Sequence, residues 1–315
     1  MGGGVLTRGE VEGLMALPDE DVAILVEAVF PIRRKYKGMK VGIQLLTNAR
    51  SGGCTQNCSY CAQSSSSEAA IEKYTLVSRE KLEADSRAVG ELGLARHCIG
   101  LSGIRFSDGE IEELASYVES MKVGSSAPVC CSIGFLTEAQ ARRLKDAGVD
   151  RINHNLNTSR TNYANICTTH TYDERVANIR MLQGIGFEIC CGGIVGMGEG
   201  DDGVVDLLLA IRDIEPQAVP INFLLPIGGT GLAGSDTVRL TPEYCLKALC
   251  LARLLLPRAD IRCAAGREAY LAGRERDLFK VADSIFASGY LTAGGQPVSE
   301  AIELVRSSGF EYAAG

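Results

Sequence analysis

A parallel (β/α)8 barrel with an N-terminal helical extension is the architecture the sequence predicts. Short apolar or β-branched runs recur at 41–47, 97–102, 128–134, 151–157, 188–195, 219–225, 260–264 and 282–286. Helical patterns follow them at about 78–92, 109–121, 137–147, 171–184, 202–213, 241–256, 271–281 and 299–308. No linker rich in Pro, Gly or Ser splits the chain. Alternating strands and helices imply parallel strands with right-handed crossovers. Eight such units favour a closed barrel, or a slightly open form of it, over a doubly wound open sheet.

The elements follow from local signals. Residues 7–38 read as helical, and the amphipathic run DEDVAILVEAVFPIRRKYKG ends near Gly38. This sets an extension at 1–39 and the barrel at 40–315. KVGIQLLTNAR reads as a strand running into a polar loop. Thr137 with Gln140 makes a capping box, and Thr241 precedes Pro242 at a first helical position. Gly148 and Gly184 suit helix ends. Ser64 to Ser67 fall in the loop after the first strand and read as a mobile part of a site.

Composition narrows the class. The chain has 315 residues, 46% hydrophobic and 23% charged, as expected of a globular protein. Its 32 Lys and Arg against 39 Asp and Glu leave a net charge of −7. An acidic chain without a basic run is a poor nucleic-acid binder. No apolar run is long enough to span a membrane. MGGGVLTRGEV lacks an apolar signal core, and Leu6 stands where myristoylation expects Ser or Thr. The expected compartment is the cytosol, where disulfides are disfavoured. Twelve cysteines must then be core residues, metal ligands or catalytic groups.

Three of them stand in SGGCTQNCSYCAQS as C-x3-C-x2-C: Cys54, Cys58 and Cys61. The loop follows the first strand, at the end of a barrel where active sites gather. Three thiolates can hold three irons of a [4Fe-4S] cluster and leave the fourth open. A structural zinc site wants four ligands, and the next candidates, His97 and Cys98, fall in another strand. Zinc and incidental core cysteines remain the alternatives. Tyr60 places a ring beside the last cysteine.

On these residues the chain resembles the radical S-adenosylmethionine (SAM) superfamily. CGGIVGMGE at 191–199 matches the superfamily's G-x-I-x-G-x-x-E pattern through Gly192, Ile194, Gly196 and Glu199, after the fifth strand. NHNLNTS, TTHTYDERV, CCGGIVGMGE, VPINFLLPIGGT and RCAAGRE together resemble the biotin synthase family over nearly the whole chain. The resemblance implies sulfur insertion between C6 and C9 of dethiobiotin. It further implies SAM on the Cys54/Cys58/Cys61 cluster, an electron donor of the flavodoxin or ferredoxin type, and a homodimer. SAM contacts would come from Tyr60, Asn155, Asn157, Gly192, Gly193, Ile194 and Glu199. The family usually has Asp at 157, so Asn157 brings no charge, and His170 stands where an arginine near SAM's carboxylate is common.

Strand faces add a reading from the residues. In RINHNLNTS, Asn153, Asn155 and Asn157 share one face and His154 and Leu156 the other. Three buried asparagines need partners, which a ligand supplies. Dethiobiotin's ureido ring carries donors and acceptors that an amide complements. The resemblance implies substrate contacts at Asn153 and Asn222. Thr292 in YLTAGG could bind the substrate carboxylate, with Ala293 replacing a hydroxyl. Cys98, Cys130 and Cys190 fall in interior strands and read either as small buried hydrophobes or, by resemblance, as ligands of an auxiliary cluster with Arg262. Arg96 shares a face with Cys98, and a buried anionic cluster needs such cations. Cys131, Cys191 and Cys263 sit next in sequence, so alternation allows one of each pair inward. A shifted register would substitute Cys263 for Arg262 and turn a [2Fe-2S] centre into a four-iron one. Cys167, Cys245 and Cys250 are expected to pack. Rivals are a radical SAM barrel enzyme of the hydrogenase-maturation or methylornithine-forming type, and a non-enzymatic iron–sulfur or zinc protein.

Overall fold

The computed structural model describes residues 5–234, 240–292 and 294–313. Ala293 and Met1–Gly4 lie outside them. Ten strands form one sheet: β1 (Lys40–Arg50), β2 (Arg96–Leu101), β3 (Val129–Ser132), β4 (Arg151–Asn153), β5 (Glu188–Cys190), β6 (Gly193–Val195), β7 (Ala218–Phe223), β8 (Asp260–Cys263), β9 (Ser284–Ala287) and β10 (Glu311–Ala313). All pairings between them are parallel, and β1 pairs with both β2 and β9. The sheet therefore closes on itself as the (β/α)8 barrel the sequence predicts.

The helices are α1 (Arg8–Met15), α2 (Val22–Lys37), α3 (Arg79–Glu91), α4 (Asp108–Gly124), α5 (Glu138–Asp146), α6 (Tyr163–Ile166), α7 (Tyr172–Ile185), α8 (Gly200–Ile214), α9 (Pro242–Leu255), α10 (Arg267–Tyr270), α11 (Glu275–Val281) and α12 (Val298–Ser307). Their starts are set by side chains that satisfy orphan backbone donors. Thr7, Ser107, Thr137 and Thr171 each close a capping box with Glu10, Glu110, Gln140 and Glu174. The 7–38 helical stretch divides at Leu17 and Pro18, where a proline that cannot continue the first helix starts a short 3-10 turn instead. Residues α6 and β10 have no periodic pattern long enough to read in advance.

The fifth predicted strand, 188–195, is two strands. Cys190 faces Ala218 and Gly193 faces Ile221, so the register along β7 is unchanged across the gap. The gap lies beside Pro220, which has no N–H to offer a ladder. Gly192 passes so close that a Cβ there would sit 1.9 Å from the Pro220 carbonyl oxygen. Only glycine fits that approach.

Two apolar layers result. The outer one, between strands and helices, takes Cys131, Cys191, Cys245, Cys250 and Cys263 with the aliphatic core. The inner one is small: Cys98, Cys130, Cys190 and Ala218, flanked by Leu46 and Phe286. α1 and α2 pack on α8, α9 and α11. Arg33 of α2 and Arg253 of α9 both meet Asp283, which precedes β9, so buried charge ties the N-terminal helices to the barrel. Among the described residues no helix is long and apolar enough to cross a membrane.

Candidate active site

The loop after β1 is held from both sides. Ser51 and Tyr74 exchange backbone hydrogen bonds of 3.1 and 3.0 Å, which clamps the loop's two ends together. Gly52 and Gly53 turn the chain out of β1 with φ of 71° and 66°, and a Cβ at Gly52 would meet Lys73 at 2.6 Å. The Ser59 N–H donates to the Ile166 carbonyl, and the Leu232 N–H to the Ser59 carbonyl. The serine run bonds back to this loop: Ser64 Oγ and the Ser65 N–H both donate to the Gln56 carbonyl. Cys54, Cys58 and Cys61 with Tyr60 thus stand at one wall of a cavity of about 360 Å³.

The same cavity is lined by Cys98, Cys130, Cys190 and Arg262. Strand register brings these together: Cys98 pairs with Cys130, and Cys190 with Asn153 beside it. Arg262 Nη1 lies 3.7 Å from Cys190 Sγ. Cys263 points the other way and is fully buried in the outer core, which removes the shifted-register alternative. Plain alternation along β8, in register with Pro220 and Ile221 of β7, is the reason. Contact with Cys130, offset by burial and aided by Arg262, pulls the Cys98 thiol below its ordinary range. Burial pushes Cys190 up to about 11 despite Arg262.

Beneath the thiols lies a polar floor that sequence reasoning missed apart from Arg96 and Arg262. Glu188 binds Arg151 at 2.7 Å and Arg96 at 3.3 Å. Asp260 binds Arg262 at 2.9 Å and accepts from Ser284 at 2.7 Å. Gln44 bridges the two layers, donating to Asp260 at 3.4 Å and accepting from Cys98 at 3.2 Å. Burial raises Asp260, but Arg262 and Ser284 outweigh it and hold the carboxyl below its usual value. Three arginines against two acids leave this floor cationic toward the thiols. Inward alternation on β1, β5 and β8 could have signalled Gln44, Glu188 and Asp260.

The asparagine face holds as expected, with Asn153, Asn155 and Asn157 all at the cavity, and the departure is His154. β4 ends at Asn153, and Asn157 takes a left-handed φ of 69°. His154, expected on the opposite face, lines the cavity with Asn153, Asn155 and Asn157, while Leu156 packs outward. The broken partner strand is the cause: Asn155 Oδ1 accepts from the Gly192 N–H at 2.9 Å, and the Asn157 N–H reaches the Gly192 carbonyl at 3.2 Å. Asn222 spends its amide on the Gly193 carbonyl and the Ala265 N–H. Asn153 Oδ1 is buried without a partner among the described residues, a free acceptor facing the cavity.

Ile194 lines the cavity, whereas Gly192, Gly193 and Glu199 do not. The two glycines let chains approach, Gly193 against Leu207 at 2.4 Å from an added Cβ. Glu199 turns its carboxylate onto the N–H groups of Gly196 and Met197, at 2.8 and 2.6 Å, so it braces the turn under the site. Thr292 lines the cavity beside Leu291, whose carbonyl accepts from Asn48. His170 and Arg175 also line it, Arg175 donating to His170 Nε2 at 2.7 Å. Cys167, expected only to pack, lies beside His170 and Cys58.

Comparison with known proteins agrees with this geometry. Residues 49–211 match the Radical SAM superfamily and residues 220–311 the Biotin and Thiamin Synthesis associated domain. A biotin synthase of Bacillus licheniformis is 40% identical over 98% of this chain and 92% of its own. One from Salinibacter ruber is 38% identical over 99% of this chain and 86% of its own. A methylornithine synthase structure superposes with a TM-score of 0.84 at 19% identity, covering 99% of this chain and 95% of its own. An FeFe-hydrogenase maturase from Carboxydothermus hydrogenoformans gives 0.84 at 16%, covering 98% and 76%. At such identities the last two share the fold alone. On the full-length similarity and both domain matches, the chain belongs to the biotin synthase family of radical SAM enzymes.

Proposed function

We propose that this chain inserts sulfur between C6 and C9 of dethiobiotin to form biotin. One observation carries the reading: a single cavity is lined by the Cys54/Cys58/Cys61 loop and by the inward group of Cys98, Cys130, Cys190 and Arg262. A substrate between them meets a radical source on one side and a sulfur source on the other. The residues suit both groups. Three cysteines on one loop leave a cubane iron open to SAM, and three inward thiols over a cationic floor suit an anionic cluster.

We assign Cys54, Cys58 and Cys61 to a [4Fe-4S] cluster. Cys98, Cys130, Cys190 and Arg262 are assigned to an auxiliary [2Fe-2S] cluster. When bound, SAM on the first cluster supplies a 5′-deoxyadenosyl radical for hydrogen abstraction, and the auxiliary cluster supplies sulfide. The chain's own task is placement and exclusion of water. Asn153 Oδ1 is free to accept a ureido N–H. Tyr60, Asn155, Asn157 and Ile194 form the SAM wall, and Gly192, Gly193 and Glu199 hold the turn behind it. Asn222 fixes the substrate wall through its backbone bonds, and Thr292 faces the substrate carboxylate. No proton-transfer pair is required, and the cavity's His154 is kept neutral: burial, then Arg175, lowers it to about 3.

We further place the chain in the cytosol as a homodimer reduced by a flavodoxin- or ferredoxin-type donor. Residues 1–39 are treated as an extension bracing the barrel of 40–315. All twelve cysteines are unpaired, which suits a reducing compartment. The test is anaerobic turnover of iron-loaded chain with SAM, reductant and dethiobiotin, its clusters built with isotopically labelled sulfide. Labelled biotin and 5′-deoxyadenosine are expected. Absence of 5′-deoxyadenosine rejects the radical reading, and unlabelled biotin rejects the auxiliary cluster as donor.

A further inference from the structure

Cys167 follows α6 and belongs to none of the motifs used above. Its Sγ lies 3.2 Å from His170 Nδ1. The ligating atoms of Cys58, Cys167 and His170 all fall within 4.8 Å of one another. Their side chains come from two loops, and the residues are 9%, 4% and 6% exposed, so all three are at least nine-tenths buried. Two amide oxygens stand at the edge: Gln56 Oε1 at 2.9 Å from His170 Nδ1, and Asn57 Oδ1 at 3.4 Å from Cys167 Sγ.

This is the donor set of a single ion. Two thiolates and an imidazole select a borderline-soft divalent cation over Mg2+ or Ca2+, with an amide oxygen or water in the fourth position. A cubane spreads its thiolates more widely, and it already draws on Cys54 and Cys61. Only Cys58 is common to both arrangements.

We propose that, before the three-cysteine loop is filled with its cluster, Cys58, Cys167 and His170 bind one cation of the Zn2+, Co2+ or Fe2+ class, in competition with cluster loading. The inference rests on Cys54, Cys58 and Cys61 being the cluster ligands, as assigned above. Binding forms two metal–sulfur bonds and one metal–nitrogen bond and releases two thiol protons to solvent, with no change of oxidation state. The imidazole must present Nδ1 without its proton. Arg175 can only donate, so in the metal-free chain Nε2 accepts and Nδ1 carries the proton. Metal at Nδ1 moves that proton to Nε2. Arg175 then keeps its bonds to Tyr163 and the Asn155 carbonyl when it releases the ring.

The probe is Co2+, titrated into the full chain after anaerobic removal of iron. One equivalent should produce thiolate-to-cobalt charge-transfer absorption and intense tetrahedral bands, which Zn2+ abolishes. Cys167→Ser should lower the affinity at least about tenfold and weaken the charge-transfer band. His170→Ala should lower the affinity while keeping that band. Cys54→Ala should change neither. Circular dichroism of each cobalt-free variant checks that it is folded. Zinc added before iron and sulfide should slow cluster loading of the unmodified chain and leave that of Cys167→Ser unslowed.

Cobalt binding that survives in Cys167→Ser but is lost in Cys54→Ala overturns the proposal, since the ion then sits in the cysteine loop alone. Absence of any thiolate band, or equal slowing of loading by zinc in both chains, overturns it as well. Formation of 5′-deoxyadenosine by the iron-loaded unmodified chain tests the enzymatic reading separately, because that assay contains no mononuclear ion.

Discussion

Arg262 reaches Cys190 Sγ with Nη1 at 3.7 Å while its Nη2 holds Asp260 at 2.9 Å and its Nε holds Ser284 at 3.1 Å. The guanidinium is anchored on one side and presented to the thiols on the other. Its aromatic neighbour Phe286, 5.1 Å from the guanidinium carbon, closes the remaining face. A planar fork with several fixed donors does this; an ammonium cannot.

Replacing that fork should therefore cost stability before any metal is involved. Arg262→Met leaves the half-buried Asp260 without its cation and should lower unfolding free energy by about 2 kcal/mol. Arg262→Lys keeps charge but loses the fork and should cost less. Urea denaturation of the iron-free chain measures both. Equal stability of Arg262→Met and the unmodified chain would show that Ser284 and Gln44 suffice for Asp260.

Iron content separates the two cysteine faces. Iron-loaded chain should hold about six irons, four plus two. Cys130→Ala should hold about four, whereas Cys131→Ala, Cys191→Ala and Cys263→Ala should keep all six and lose only about 1 kcal/mol from their small cavities. Iron loss in Cys263→Ala would contradict its outward orientation.

Gly192→Ala tests the strand break. The added methyl collides with the Pro220 carbonyl at 1.9 Å, a backbone atom with no freedom to move aside. Overpacking there should destabilise the chain by about 3 kcal/mol and weaken SAM retention, read by urea midpoint and by equilibrium dialysis. Gly9→Ala, in α1 with nothing within 4 Å, is the control and should be neutral to stabilising, by up to about 1 kcal/mol.

His154 predicts a pH dependence. Its folded value is lowered to about 3 by burial and then by Arg175, against about 6.5 in an unfolded chain. The unfolded state thus binds the extra proton first as pH falls. Stability from neutral His154 is complete above about pH 7 and is lost toward pH 3, at about 1.4 kcal/mol per pH unit. His154→Gln should flatten the pH profile of the urea midpoint across that window. An unchanged slope would mean that the imidazole is accessible enough to titrate normally.

The sequence by itself determined the barrel, because its signals are local. Strand and helix periods, Thr137 with Gln140, and the Thr241–Pro242 start need only neighbours a few residues away. The C-x3-C-x2-C spacing and the face shared by Arg96 and Cys98 were legible for the same reason. Tertiary structure alone decided the rest. Pro220 of β7 breaks the fifth strand, and beyond the end of β4 His154 joins the three asparagines at the cavity instead of alternating away from them. Asp260, Glu188 and Gln44 form the floor only because barrel closure brings β1, β5 and β8 within reach of one another. Cys167 meets Cys58 across more than a hundred residues of chain, a distance no local pattern encodes.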